Sequence, residues 1–502
     1  MSSLGAKGDG RTDDRAAIQA AIDNAAAGGG DVELPAGNFL ISRAGNQPYG
    51  LKVPSGVRLH GAGQDKTVLL QAPGTDGGAR LVFATGKGIT IEDLTLEGNK
   101  QAQTPSEHRH GLVAMATEGL RLQRVTAKNF TGDGFYLYTE ANRSTLYDVL
   151  STGNGRNGVT MGGKLDGTVL LGSRFIGNRA QQIDSEPWGP AVVSNTWVIG
   201  NLIDCGGATN NYVLTVSGTE TVTRGHDWTV IGNQINGGVF VVWAEHVVIA
   251  GNTGENKSSK PSVTVYRTSS DVTILGNHFT QAGARVAVIA VLGSAGGGPE
   301  NVVIAENTLE TASERGFGVQ AAGARSVVIR DNVLRGAGRP SPGFSGIALR
   351  ATNPTKDFES AVVAGNRISN FGSHGIHIMG NGAARLLSVD ITNNTFEESS
   401  SEPSMTAGIS LDADGLGAAK QISVIDNKYV GVTTEISTYP KTVPVLVGGV
   451  RGKGGVYRVA GTPEGVLPEA EGATAVVHDP DGVETVFIKR SGRGSKTGWA
   501  LR

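Results

Sequence analysis

Residues 181–190 read QQIDSEPWGP. Asp184 and Glu186 stand one residue apart, behind Gln181 and Gln182 and ahead of Trp188. Two carboxyls that reach one bond can break a glycosidic linkage: one protonates the leaving oxygen while the other activates water. Side chains two apart on a strand share a face, with Cα atoms about 7 Å apart. That spacing is nearer the roughly 6.5–9.5 Å of an inverting pair than the roughly 5 Å of a retaining one. The elements that carry these residues decide whether both carboxyls face the same space.

The chain has 502 residues, 75 of them glycine, without a Gly-X-Y period, so collagen is excluded. A formal net charge of −2 with no basic stripe excludes a nucleic-acid partner. No apolar run of about 18 residues exists, so no membrane insertion is expected. The opening MSSLGAKGDG has no charged n-region ahead of an apolar stretch, so no signal peptide is visible. Cys205 stands alone and is expected as a small buried residue, with neither disulfide nor zinc role.

A signature of apolar strand, small or acidic residue and Asn recurs. It ends at Asn178, Asn201, Asn233, Asn252, Asn277, Asn307, Asn332, Asn366, Asn394 and Asn427, with weaker copies at Asn99, Asn129 and Asn154. A short alternating strand follows each, as in GLVAM, GFYLY, GVTMG, QIDSE, VFVVW, SVTVY and GIHIM. One such unit cannot bury its apolar side alone, and stacking in register does so. The repeat predicts a single-stranded, right-handed parallel β-helix of about thirteen coils over 56–438, its Asn residues forming one corner ladder. Residues 1–55 read as a cap whose short helix follows Thr12 or Asp13, buries Ile18, Ala21, Ile22 and Ala25, and stops at Gly28–Gly30. Residues 439–502 read as a small C-terminal β module.

Aligning the alternating strands gives the faces. Leu112 and Ala114, Phe135 and Leu137, Val159 and Met161, Ile183 and Ser185, and Phe240 and Val242 are expected to face in. Asp184 and Glu186 then face out, since a one-residue slip would bury both charges. One outward column runs Val113, Tyr136, Thr160, Asp184; the next runs Met115, Tyr138, Gly162, Glu186, then Trp243 and Tyr266. A third runs His110, Asp133, Asn157, Gln181, and Asn211 if the next coil keeps register. Exposed tyrosine and tryptophan are costly unless they bind something, and sugar rings stack on aromatic faces. Glu186 is expected to be the acid, because it lies beside the aromatic column, and Asp184 the base. Arg267, after Tyr266, is a candidate holder of an anionic sugar. His108 and His110 alone make no metal site, because no third ligand stands out. His226, Asp227, His374 and His377 read as structural or surface residues.

The opening GAKGDGRTDDRAAIQAAIDNAAAGGGDVELPAGNFLIS resembles the start of the pectate-lyase-like β-helix superfamily, which includes phage tailspikes, rhamnogalacturonases and alginate epimerases. The closing GTPEGVLPEAEGATAVVHDPDGVETVFIKRSGRGSKTGWALR looks like the end of many phage tail fibres. These resemblances imply an extracellular or virion-associated homotrimer acting on polysaccharide. The Asp-Pro-His motif of the alginate epimerases is missing. Three function classes follow. The first is a polysaccharide depolymerase hydrolysing through Asp184 and Glu186, without cofactor. The second is a lyase of uronic-acid glycans, with His110, Tyr136, Tyr138 and Arg267 serving while Asp184 and Glu186 hold Ca²⁺. The third is a glycan-binding fibre or adhesin without turnover.

Overall fold

A computed structural model describes the chain except residues 1–4, 29, 75–78, 208–211, 221–223, 314, 342, 352–357, 381–385, 400–403, 413–420, 440–444, 448–455, 460–473, 479–483, 492–496, 498 and 502. The chain folds as a parallel β-solenoid, in two compact units, Met1–Lys260 and Pro261–Arg502. Each coil contributes one strand to the sheet that bears the carboxyls and further short strands to the remaining faces. Among the described residues 15 strands belong to the first kind. That is two more than the Asn repeat implies, because Tyr49–Val53 and Arg80–Lys87 follow no Asn signature. Tyr49–Val53 also lies inside the segment read as the cap, and already pairs in parallel with Arg80–Lys87.

The alternation holds through the coils that matter most. Leu112, Ala114, Phe135, Leu137, Val159, Met161 and Ile183 are all fully buried. Phe135–Tyr138 pairs with Val159–Gly162, and that strand with Ile183–Glu186, in unbroken register. The coil at Gly238–Val242 departs from expectation. An irregularity between Tyr212 and Leu214 shifts the register. Val239 and Val241 therefore face in, while Phe240 follows Thr215 on the outer side. An extra residue on one strand of a pair has this effect on everything after it.

The recurrent Asn residues form two ladders at two corners. Asn154 donates through Nδ2 to Asn178 at 2.8 Å, and Asn178 to Gln182 at 2.7 Å. A separate ladder joins Asn201 to Asn233 and Asn233 to Asn252, with Ser173 N donating to Asn201. In the second unit Asn277, Asn307, Asn332, Asn366, Asn394 and Asn427 are linked in sequence by Nδ2–Oδ1 bonds of 2.9–3.0 Å. The residue before each ladder Asn has positive φ: Gly177, Gly200, Gly232, Glu306, Asp331, Gly365, Asn393 and Asp426 all lie near +60°. That left-handed corner explains the small or acidic residue of the signature. Asn99 and Asn129 occupy the left-handed position themselves and are not ladder members.

The helix Arg15–Gly28 buries Ile18, Ala21 and Ile22. Ala25 is only half-buried. Asp13 accepts the N–H of Arg15 at 3.2 Å and also binds Ser42. At the other end antiparallel pairs join Val445–Val447 to Val456–Val459 and Thr474–His478 to Glu484–Lys489.

Candidate active site

Three adjacent strands, Phe135–Tyr138, Val159–Gly162 and Ile183–Glu186, bring the expected carboxyls and aromatics onto one outward face. Thr160 and Asp184 are partners in neighbouring coils, as are Gly162 and Glu186. Asp184 lies at the floor of this face, only 4 % exposed. Its Oδ2 accepts from Asn157 Nδ2 at 3.1 Å, and Thr215 and Glu186 also hydrogen-bond to it. Glu186 sits above it, half-buried. Burial, and then the hydrogen bond and charge of Glu186, hold the Asp184 carboxyl well above the usual carboxylate range. Arg156 and Thr215 only partly offset this. Asp184 is thus the deeper carboxyl, with its pKa raised, and Glu186 is the one nearer solvent. Glu186 carries one more methylene and reaches out while Asp184 stays under its neighbours.

The two carboxyls are close enough to influence each other's protonation. They form one proton-sharing unit. Arg156 completes it. Its guanidinium bonds Glu186 on one side and Asp133, at 2.9 Å, on the other. Burial works against the Arg156 charge, but Asp133 and Glu186 outweigh it and raise its pKa. Asp133 has no exposed surface and also accepts from Asn157 N at 2.8 Å and Thr160 Oγ1 at 3.0 Å. It is a fixed anchor for Arg156.

An aromatic row runs away from the pair. His110 lies 4.9 Å from Tyr136, Tyr136 lies 5.2 Å from Tyr138, and Tyr138 stacks at 6.4 Å on Trp188. Trp188 is 53 % exposed. Gly162 makes the room: a Cβ there would meet Tyr136 Oη at 2.6 Å. Burial first, and then Glu186 and Tyr138, raise the Tyr136 pKa, so its hydroxyl stays protonated. His110 is buried, and its Nδ1 accepts the Asp133 N–H at 3.1 Å. In the neutral ring the proton therefore sits on Nε2, which has no hydrogen-bond partner among the described residues.

Other candidates fall elsewhere. Gln181 is on the platform, its N–H bound to Asn157 Oδ1 at 3.0 Å. Asn211 lies outside the described residues. Trp243 is not in the Glu186 column, because Val242 follows Ser217 there and Trp243 sits at a left-handed corner beyond the strand. Tyr266 and Arg267 belong to the second unit, where the guanidinium lies 5.3 Å from the Tyr266 ring centre. Cys205 is half-buried rather than buried and lines an open cavity with Asp204, Glu255 and Lys257. His226 bonds its neighbour Asp227 at 2.6 Å. His377 is 5 % exposed and pairs with Asp412, so it is no surface residue.

Sequence reasoning missed Arg156 and Arg80. Arg156 precedes the strand in a turn, where period-two alternation gives no direction. Arg80 would have appeared by extending the His110 column back one coil, since Val82 partners Leu112. It is half-buried beside Tyr136 and Tyr138, and its Nε has no partner among the described residues. Beside Asp184 and Glu186 stands the Arg156 guanidinium, which Glu186 already bonds. No group of three His, Cys, Asp or Glu able to hold a metal exists among the described residues.

The fold is a parallel β-solenoid, and its first part resembles a pectate-lyase-like family. Residues 1–180 match the family described as "Rhamnogalacturonase A/epimerase, pectate lyase-like", and residues 189–431 match "Periplasmic copper-binding protein (NosD)". Mannuronan C5-epimerase AlgE4 of Azotobacter vinelandii is 36% identical over 170 residues, 32% of this chain and 31% of that protein. Alginate lyase 7 of the same organism is 33% identical over 175 residues, 32% of this chain and 20% of that protein. The pre-neck appendage protein of Bacillus phage B103 is 35% identical over 126 residues, 24% of this chain and 13% of that protein. The chain thus spans a third or less of the length of these relatives. The solved A-module of mannuronan C5-epimerase AlgE6 from A. vinelandii superposes with a TM-score of 0.58 at 24% identity, over 70% of this chain and 96% of the module, a likeness of fold.

Proposed function

We propose that the chain is an extracellular or virion-associated enzyme that cleaves glycosidic bonds of a polysaccharide, and does so by hydrolysis. The observation that carries this reading is the buried, proton-holding Asp184 hydrogen-bonded to the solvent-facing Glu186 beneath a row of aromatic rings. The sugar chain lies along His110, Tyr136, Tyr138 and Trp188. The pair passes its one proton through Glu186 to the leaving glycosidic oxygen as the bond to the anomeric carbon breaks. Arg156 holds the doubly ionised pair. A water adds to the anomeric carbon and returns its proton to the pair, restoring the starting state.

A second reading is β-elimination from a uronic-acid glycan, favoured by one observation: the relatives include an alginate lyase and mannuronan epimerases. It needs a base for the C5 proton. Tyr136 is held protonated and His110 Nδ1 accepts an N–H, which leaves Tyr138 and Glu186 as the candidates on the platform.

The test runs wild type and the Asp184→Asn, Glu186→Gln double variant on a panel of bacterial exopolysaccharides and alginate, following reducing ends and near-ultraviolet absorbance together. Hydrolysis gives reducing ends without absorbance, lost in the folded double variant. Absorbance rising in step with reducing ends means elimination. Binding without either signal means a glycan-binding fibre.

A further inference from the structure

The outward sheet of the second unit carries a positive charge that nothing answers. Arg350 lies on the strand Ser345–Ala351, with its guanidinium 5.4 Å from the Phe317 ring centre. Burial alone disfavours its charge, and no carboxylate pairs with it among the described residues. Its Nε is buried without a hydrogen-bond acceptor. Guanidinium groups left half-buried and unpaired are costly, and ligand anions relieve that cost.

The neighbours are of two kinds. Phe317 packs at 5.0 Å against Phe344, over a floor of Ala287, Ala290 and Ala348. One coil on, His377 is the partner of Ala348, and Met379 that of Arg350. His377 Nε2 lies 2.8 Å from Asp412 Oδ2, and in the neutral ring that donates there Nδ1 is an acceptor. That Nδ1 is buried and has no donor among the described residues. The half-buried His374 ring covers it at 4.5 Å between ring centres. Among the described residues the acid on this patch is Asp412, and His377 pairs with it.

We infer that this face is a second ligand site, separate from the Asp184 platform, that takes a sugar acid. Arg350 receives the carboxylate in a two-pronged contact. His377 Nδ1 accepts a sugar hydroxyl once the His374 ring swings aside, and the half-buried Phe344, backed by the buried Phe317, meets the apolar face of the ring. The site serves to hold an acidic saccharide chain and performs no bond cleavage.

The full chain carrying Asp184→Asn and Glu186→Gln is titrated with D-glucuronate, D-glucose and inorganic sulfate, following ligand signals by NMR. The inference expects glucuronate to bind at least tenfold more tightly than glucose and more tightly than sulfate. Arg350→Gln weakens glucuronate at least tenfold, and His377→Gln weakens glucuronate while leaving sulfate unchanged; the second variant decides the matter if the first does not fold. Equal binding of glucose and glucuronate overturns it, as does glucuronate affinity unchanged by Arg350→Gln. Sulfate binding as tightly as glucuronate leaves a simple anion site and overturns the saccharide assignment. Loss of binding in Tyr138→Ala with retention in Arg350→Gln puts the sugar acid on the first unit and overturns it too. Turnover on the Asp184 platform has no bearing on any of these outcomes.

Discussion

At the scale of single residues the site turns on where one proton rests. Asp184 is buried beside Glu186 and keeps its proton at pH values where a free carboxyl has lost it. In the unfolded chain it titrates near pH 4. As pH rises from there to the raised folded value, the unfolded state releases a proton that the folded state keeps, so stability falls across that window. Asp184→Asn preserves the shape and removes this slope. The variant should match or exceed wild-type stability at neutral pH by thermal melting, while activity drops about 10²–10⁴-fold, the size of a general-acid contribution. A wild-type pH–rate profile should fall on its alkaline limb as the pair loses its proton, and a flat profile there would remove the pair from the chemistry. Gly162 allows a second residue-scale prediction. Ala at 162 pushes against the hydroxyl end of the half-buried Tyr136 ring, which must shift within the row. Stability should change by less than about 1 kcal/mol. KM should rise several-fold, because the aromatic row is displaced and the proton pair is untouched.

At the scale of elements, the coil is the unit of stability. Asn307 donates Nδ2 to Ile274 O, Ala305 O and Asn332 Oδ1, and its own Oδ1 accepts from Asn277 N and Nδ2. Removing the amide leaves several buried groups unpaired. At about 1–3 kcal/mol for each such group, with some relaxation, Asn307→Ala should cost about 3 kcal/mol by denaturant unfolding. Asn307→Asp should cost at least as much, since the carboxylate donates nothing. The strands themselves were legible because alternation at period two is strong where one face is buried. Leu112, Phe135, Val159 and Ile183 all stand where the pattern put them. The single-ladder reading failed because two different corners use the same left-handed residue followed by Asn, and spacing alone does not tell corners apart. The Phe240 coil failed because a bulge at Tyr212–Leu214 leaves no mark on the apolar pattern.

At the scale of the whole molecule, the sequence made the fold legible and part of the platform. Tyr136, Tyr138, Asp184 and Glu186 came from columns that keep register across three coils. Arg156 did not, because a turn residue has no parity, and neither did the depth difference between the two carboxyls, which depends on side-chain length and on the neighbours above them. The resemblance of the chain's end to phage tail fibres carries a proposal of its own: the full chain assembles as a homotrimer. Mass photometry of the intact protein should give three times the chain mass, and a monomer at micromolar concentration would end that proposal.

The ladder of the second unit has a direction. From Asn277 to Asn394 each side-chain amide donates from Nδ2 to the Asn oxygen of the coil that follows, and from Asn307 to Asn427 Nδ2 also donates to a carbonyl of the coil before. A stack completed as far as one coil therefore ends in an idle N–H on its last Asn and an Nδ2 that keeps its bond to the coil before but lacks its ladder oxygen. The next coil supplies one oxygen that answers both. Each finished turn is thus a template for its successor and not for its predecessor. Growth of this solenoid during synthesis is vectorial, and a duplicated coil inserts without disturbing the row provided it brings its left-handed corner and its Asn together.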